Sequence, residues 1–186
     1  MKWTQSANEW TQALSSAEPT PGGGAAAAVC GAMGCSLLLM ALRTTLKRKS
    51  TPEQNRTVLQ EHVHTLENRL TQLQQLAAQD AQSYEAYLAA AKLPKQDPTR
   101  PQSLQETLWQ AACVPAETAR VCKEVLMQLK ETENLVDKII ISDAHCARHL
   151  LHSALACCAE NIRANMAYIT QPERIQTLQK LLQSLL

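Results

Sequence analysis

The carboxylate of Asp80 stands where the surrounding pattern asks for hydrocarbon. Leu59, Val63, Leu66, Leu70, Leu73 and Ala77 recur at alternating steps of four and three, and the same rhythm runs on through Asp80 to Tyr84 and Tyr87. That repeat marks the buried face of a helix. An ionised carboxylate there loses its hydration unless donors or a cation replace it. Two readings follow. Asp80 is a polar residue that sets helix register, or it is a carboxyl of raised pKa that lines a pocket and moves protons near neutral pH.

Other groups carry polar chemistry. All five glycines fall between positions 22 and 34, with Gly22, Gly23 and Gly24 consecutive before an apolar run. Three glycines in a row cost backbone entropy. They read as a linker or tight turn, or as a loop whose N–H groups, with the helix start behind them, approach a planar or anionic ligand. The Lys-Ser/Thr of a phosphate loop is missing, so a nucleotide is not supported. Asn161 and Asn165 lie one turn apart in "CCAENIRANMAY". Buried amides need partners, so the pair is an interhelical clamp or a set of arms for a heteroaromatic ligand. His145, His149 and His152 share a face at i, i+4 and i+7 beside Cys146, and could offer imidazoles to zinc or nickel. No carboxylate is placed to complete the set and Arg148 adjoins it, which favours a solvated or interface face; no metal site is expected. Ser142-Asp143 reads as a helix N-cap with an acid in the first turn. No spacing identifies a Ser/His/Asp or Cys/His nucleophile.

These residues need a scaffold, and proline and glycine punctuate one. Trp3, Trp10 and Leu14 mark an amphipathic helix, and the loop "SSAEPTPGGG" follows. An apolar run from Ala25 to Leu42 ends in Arg43, Lys47, Arg48 and Lys49, cations that suit a helix C-terminus. Thr51-Pro52-Glu53 restarts a capped helix that reaches about Leu93, and "LPKQDPTRP" is a loop. Helices are expected over 102–113, 115–140, 143–170 and 173–186. No candidate strand exceeds "KIII". The fold class is all-α: a bundle of about six helices with one long central helix pair. With 186 residues, a single domain over 1–186 is expected.

A net charge of +1, 3% aromatics and no Phe give neither the field nor the stacking platforms for nucleic acid. Seven cysteines, odd in number and without a CxxC pair, follow an N-terminus, "MKWTQSANEW", that lacks leader features. Reduced thiols in a cytoplasm are expected, most of them small core residues. The uncharged run 25–42 approaches membrane-spanning length. It is mostly Ala, Gly and Cys and has basic residues at one end only, so a helix buried in a soluble bundle or dimer is expected, with no membrane.

Four collinear blocks resemble one family. "PTPGGGAAAAVCGAMG", "DAQSYEAYLAAAKLPK", "AACVPAETA" and "ISDAHCARHLLHSALACCAENIRANM" are similar, in order and separation, to segments of the cyclodeaminase/cyclohydrolase family. That family comprises the C-terminal domain of formiminotransferase-cyclodeaminase and stand-alone methenyltetrahydrofolate cyclohydrolases. The resemblance covers about Trp10 to Leu186. It implies an all-helical cytoplasmic homodimer acting on tetrahydrofolate one-carbon adducts. The first expectation is hydrolysis of 5,10-methenyltetrahydrofolate to 10-formyltetrahydrofolate, with no metal or redox cofactor. The alternatives are cyclodeamination of formiminotetrahydrofolate with release of ammonia, and a non-catalytic folate-binding or scaffold dimer. The absence of an attached formiminotransferase domain leans towards hydrolysis. By the same resemblance Asp80 is the proton-transferring acid and Gly22, Gly23 and Gly24 form the ligand-facing loop. Arg48, Lys49, Lys95, Ser142, Asp143, Asn161 and Asn165 match substrate-binding positions. Ala25 departs from the usual Ser, Lys47 from Gly, and Ala78 and Gln79 from acids upstream of the matched Asp.

Overall fold

A helix that is apolar on every side has to lie in the middle of a bundle. In the computed structural model, which describes residues 3–185, that helix is α2 (Gly23–Lys47). It packs against α3 (Glu53–Ala91), α4 (Arg100–Thr132) and α5 (Ile141–Met166). An amphipathic α1 (Trp3–Leu14) precedes it, a short 3-10 turn (Glu133–Leu135) follows α4, and α6 (Pro172–Leu185) closes against α4 and α5. Six α-helices and no strand are present among the described residues. The all-α bundle of about six helices therefore stands as read from the sequence; the two longest helices are α3 with 39 residues and α4 with 33. Residue 186 and the Trp3 side chain, both used in the sequence reading, lie outside the described residues.

Small side chains let α2 sit this deep. A Cβ on Gly31 would come 2.7 Å from Cys122 Sγ, and one on Gly34 would come 2.9 Å from Leu151 Cγ. The seam read along α3 is real: Leu59, Leu66 and Leu73 are fully buried in the same core as Leu38, Leu39 and Leu42. By length and composition α2 could cross a membrane, but just over half of its apolar window, 56%, is already buried within the chain.

α3 runs antiparallel to α2 and satisfies both of its ends. Near the start of α3, Arg56 donates to the Leu46 and Arg48 carbonyls at 2.6 and 2.7 Å. Near its other end, Asp80 accepts from the Ala25 N–H at 2.8 Å. Cation meets the C-terminus of α2 and carboxyl meets its N-terminus, as the helix dipole favours.

Several boundaries differ from the pattern. α2 begins at Gly23 and not Ala25, because two glycines join its first turn. Thr51 does not cap α3; its hydroxyl donates to the Thr45 carbonyl at 2.6 Å, back towards α2. The helices expected over 102–113 and 115–140 are one, α4, which passes through the buried Pro115 and ends at Thr132. α5 starts at Ile141 and ends at Met166, so Ser142 and Asp143 lie inside its first turn with no side-chain cap bond. "KIII" is a turn leading into α5.

Candidate functional site

The end of the bundle where α2 begins holds a small cavity of about 160 Å³. It is lined by Pro19, Thr20, the three consecutive glycines, Asp80, Ser83, Tyr84, Ala111, Asn161 and Asn165. Four helices and one loop meet there. The loop delivers Gly22 as the N-cap residue of α2. The Gly23 and Gly24 N–H groups in the first turn of α2 have no helical carbonyl to bind, which makes this end of the helix a favourable place for negative charge.

Asp80 enters from α3 and fills the space a side chain on Gly24 would take. A Cβ on Gly24 would lie 2.0 Å from Asp80 Oδ1 and 2.6 Å from Cγ. Glycine is required here by close approach; no glycine in the chain has a positive φ. The carboxyl is half-buried and accepts from the Ala25 N–H at 2.8 Å. Burial pushes its pKa up, and the Ala25 N–H partly offsets that by favouring the charged form. Asp80 thus has a structural bond, capping α2 from outside the helix, and also a place on the cavity wall, where burial raises its affinity for a proton.

The two asparagines arrive from α5 with different anchors. Asn161 Nδ2 donates to the Cys157 carbonyl at 2.8 Å, and its amide lies 3.2 Å from where a Gly23 Cβ would be. Asn165 Nδ2 donates to the Ala111 carbonyl at 3.0 Å. That carbonyl is available because residue 115 is proline: with no N–H at 115, Ala111 lacks its i+4 partner. Asn165 supplies the missing donor and allows α4 to continue. Each amide uses one of its two N–H groups on backbone, which leaves the other N–H and the oxygen acceptor for a ligand.

The remaining expected residues are not gathered here. α5 runs antiparallel to α2, since Gly23 meets Asn161, Gly31 meets Ala154 and Gly34 meets Leu151. Ser142 and Asp143 therefore sit at the opposite end of the bundle. Arg48 and Lys49 follow the last turn of α2 at that same end, and Arg48 Nε pairs with Asp137 Oδ2 at 3.3 Å. The 25 residues of α2 separate the two groups by about 37 Å. Lys95 lies in the exposed loop after α3, about 16 Å of helix beyond Asp80. None of the residues lining the cavity is a cation.

Thr20, Ser83 and Ala111 line the cavity without having been singled out from sequence. Ser83 had a signal, standing one turn after Asp80 on the same face. Its hydroxyl donates to the Asp80 carbonyl at 2.8 Å. The three histidines are exposed, and Glu133 from the 3-10 turn does reach His145 at 3.1 Å, contrary to the expectation that no carboxylate would. Arg148 shares that glutamate. Among the described residues no group of three His, Cys, Asp or Glu side chains converges to hold a metal. The cysteines are free thiols; Cys35, Cys122 and Cys158 are buried and Cys146 and Cys157 exposed.

Comparison with known proteins agrees with this geometry. The family model for formiminotransferase-cyclodeaminase matches residues 6–184. A methenyltetrahydrofolate cyclohydrolase of Methylorubrum extorquens is 32% identical over 177 residues, covering 91% of this chain and 85% of that protein. Formimidoyltransferase-cyclodeaminase of Rattus norvegicus is 29% identical over 154 residues, covering 81% of this chain but only 28% of the longer protein. Among solved structures, formiminotetrahydrofolate cyclodeaminase of Thermotoga maritima superposes with a TM-score of 0.87 at 28% identity, over 96% of this chain and 86% of that one.

Proposed function

The chain belongs to the formiminotransferase-cyclodeaminase family, and from that premise we propose that it hydrolyses 5,10-methenyltetrahydrofolate to 10-formyltetrahydrofolate. The relative matched over most of both lengths carries that activity in its name. The observation that carries the chemistry is the Asp80 carboxyl, pressed against Gly24 and half-buried at the start of α2.

In this reading water attacks the bridging carbon, which has amidinium character. Asp80 accepts a proton from that water and returns one to the ring nitrogen as its bond to the carbon breaks, and the hydroxyl proton leaves to solvent. Burial brings the carboxyl's affinity for a proton closer to what such a shuttle requires. The amide oxygens of Asn161 and Asn165 accept from N–H groups of the pterin, and the glycine loop lets the flat ring approach the backbone. Lys95 is a cation for the glutamate carboxylates of the substrate; Arg48, Lys49, Ser142 and Asp143, a full length of α2 away in the same chain, reach that group only across the homodimer. Neither a metal nor a redox cofactor takes part. The protein works as one helical domain, as a homodimer, in a cytoplasm; free thiols suit that compartment.

The structural likeness to a cyclodeaminase supports a second reading, ring closure of formiminotetrahydrofolate with loss of ammonia. That reaction also needs one proton donor beside the departing nitrogen. A single chromophore separates the two: hydrolysis consumes the methenyl absorbance, whereas cyclodeamination creates it. If folded protein changes the absorbance with neither substrate, a folate-binding or scaffold role replaces both.

A further inference from the structure

Taking the homodimer of the proposed function as the assembly, we propose that its two copies pack antiparallel along the exposed face of α2, so that Lys47 of the partner subunit reaches the cavity at Gly22 and Asp80. The role of that cation rests on the folate reading above; the interface does not. Ala26, Val29, Met33, Ser36 and Met40 recur on α2 at alternating steps of three and four, and all stand clear of the chain's own core. Met33 is 53% and Met40 38% exposed, unusual for methionines on a helix otherwise at the centre of a bundle. The spacing is that of a helix–helix seam. An apolar groove of about 670 Å³ runs beside it, where α2 meets Leu70 and Ala77 of α3.

The occupant is argued from charge. At the C-terminal end of α2 the seam continues in register to Arg43, which is paired with Glu67 of α3, and to the exposed Lys47, whereas its N-terminal end carries no charge. A two-fold pairing centred between Met33 and Ser36 sets Ala26 opposite Arg43 and Gly22 opposite Lys47. A parallel pairing would stack the cationic ends on each other. The antiparallel one separates them by most of the length of α2 and places each beside the other chain's Asp80. It also answers a deficiency of the single chain, whose cavity is lined by one carboxyl and no cation. The anionic tail of the substrate then meets lysine from across the axis, and neither copy holds a complete site alone.

The register is tested without reference to activity. In a background with the exposed Cys146 and Cys157 changed to Ser, Ala26→Cys and Arg43→Cys chains carrying different tags are co-expressed and oxidised. Expected is a disulfide between the two variants and little within either alone. Cross-links within each variant alone and none between them overturn the antiparallel register. No cross-link in any combination, together with a monomer mass for the unmodified protein, overturns the interface. Catalytic sharing is tested by co-expressing Asp80→Asn with Lys47→Glu, each inactive or nearly so by itself. Cross-axis sites give one intact site per mixed dimer, so about a quarter of the unmodified activity returns. No recovery, from a mixture shown to contain mixed dimers, overturns the shared site. Cross-linking without turnover by the unmodified protein refutes the folate reading and leaves the interface standing, and turnover without cross-linking does the reverse.

Discussion

Replacing Gly24 by Ala sets two local effects against each other, one governing stability and the other turnover. The new Cβ would lie 2.0, 2.6 and 2.9 Å from Asp80 Oδ1, Cγ and Oδ2, so the carboxyl must swing away and release the Ala25 N–H. A hydrogen bond to a charged group contributes about 1.5–3 kcal/mol. Against that, Ala in the first turn of a helix gains up to about 1 kcal/mol over Gly. The expected net loss of stability is about 0.5–2 kcal/mol, which leaves a folded protein. Turnover should fall much further, by about 10²–10⁴, the range general acid–base catalysis supplies. Urea denaturation and the methenyl absorbance assay, run on Gly24→Ala, Asp80→Ala and the double variant, form a cycle. With Asp80 truncated the obstruction is gone, so Gly24→Ala should become neutral or stabilising, a coupling of at least about 1 kcal/mol. If Gly24→Ala turns over at the unmodified rate, or costs the same stability with and without Asp80, the contact does not govern the site and the reasoning fails.

Asp80→Asn keeps an oxygen for the Ala25 N–H but cannot exchange a proton, so activity should drop about 10²–10⁴ while folate binding by calorimetry persists. Because burial holds the Asp80 pKa above its ordinary value, ionisation costs folding free energy. Stability should therefore decline as pH rises from the usual carboxylate range through the raised value, and Asp80→Asn should flatten that slope in urea melts at stepped pH. Asn165→Ala strands the Ala111 carbonyl that proline leaves open and should cost about 1–3 kcal/mol; in a Pro115→Ala background, where a backbone N–H is restored, it should cost at least about 1 kcal/mol less, and equal costs would refute the compensation. Gly34→Ala forces a methyl to 2.9 Å from Leu151 Cγ and 3.0 Å from the Ala147 carbonyl, so thermal melts should show a loss of about 1–3 kcal/mol by overpacking, with KM for the folate substrate little changed because the site lies three turns away.

Much of the fold was legible because its signals are local. The seam of α3, the apolar α2 and the Pro-rich loop after Leu93 each follow from the spacing of a few neighbouring residues. What misled was chemistry supplied from elsewhere in the chain. Pro115 breaks a helix by every local rule, yet α4 continues because an asparagine fifty residues on satisfies the carbonyl. Ser142 has a capping residue's composition, but the turn before α5 sets the helix start one residue ahead of it. For the site, Asp80, the glycines and the asparagines could each be named from sequence, and the structure brings them together. Their antiparallel arrangement could not, because spacing along one helix says nothing about the direction of the next. The family resemblance lists Arg48, Lys49, Ser142 and Asp143 with Asp80; within one chain a full length of α2 divides them.

The twofold grip of α3 on α2 has a consequence for how the bundle tolerates change. Arg56 fastens one end of α2 and Asp80 the other, so the stretch of α3 between them acts as a gauge block. Removing four residues from that stretch would turn the helix by only about 40°, and the hydrophobic stripe would still face largely inward. Yet the two fastenings would then lie about 6 Å too close to span their partner, and one must come undone. Length changes within this segment should be borne far worse than hydrophobic exchanges along its stripe, however conservative the pattern left behind.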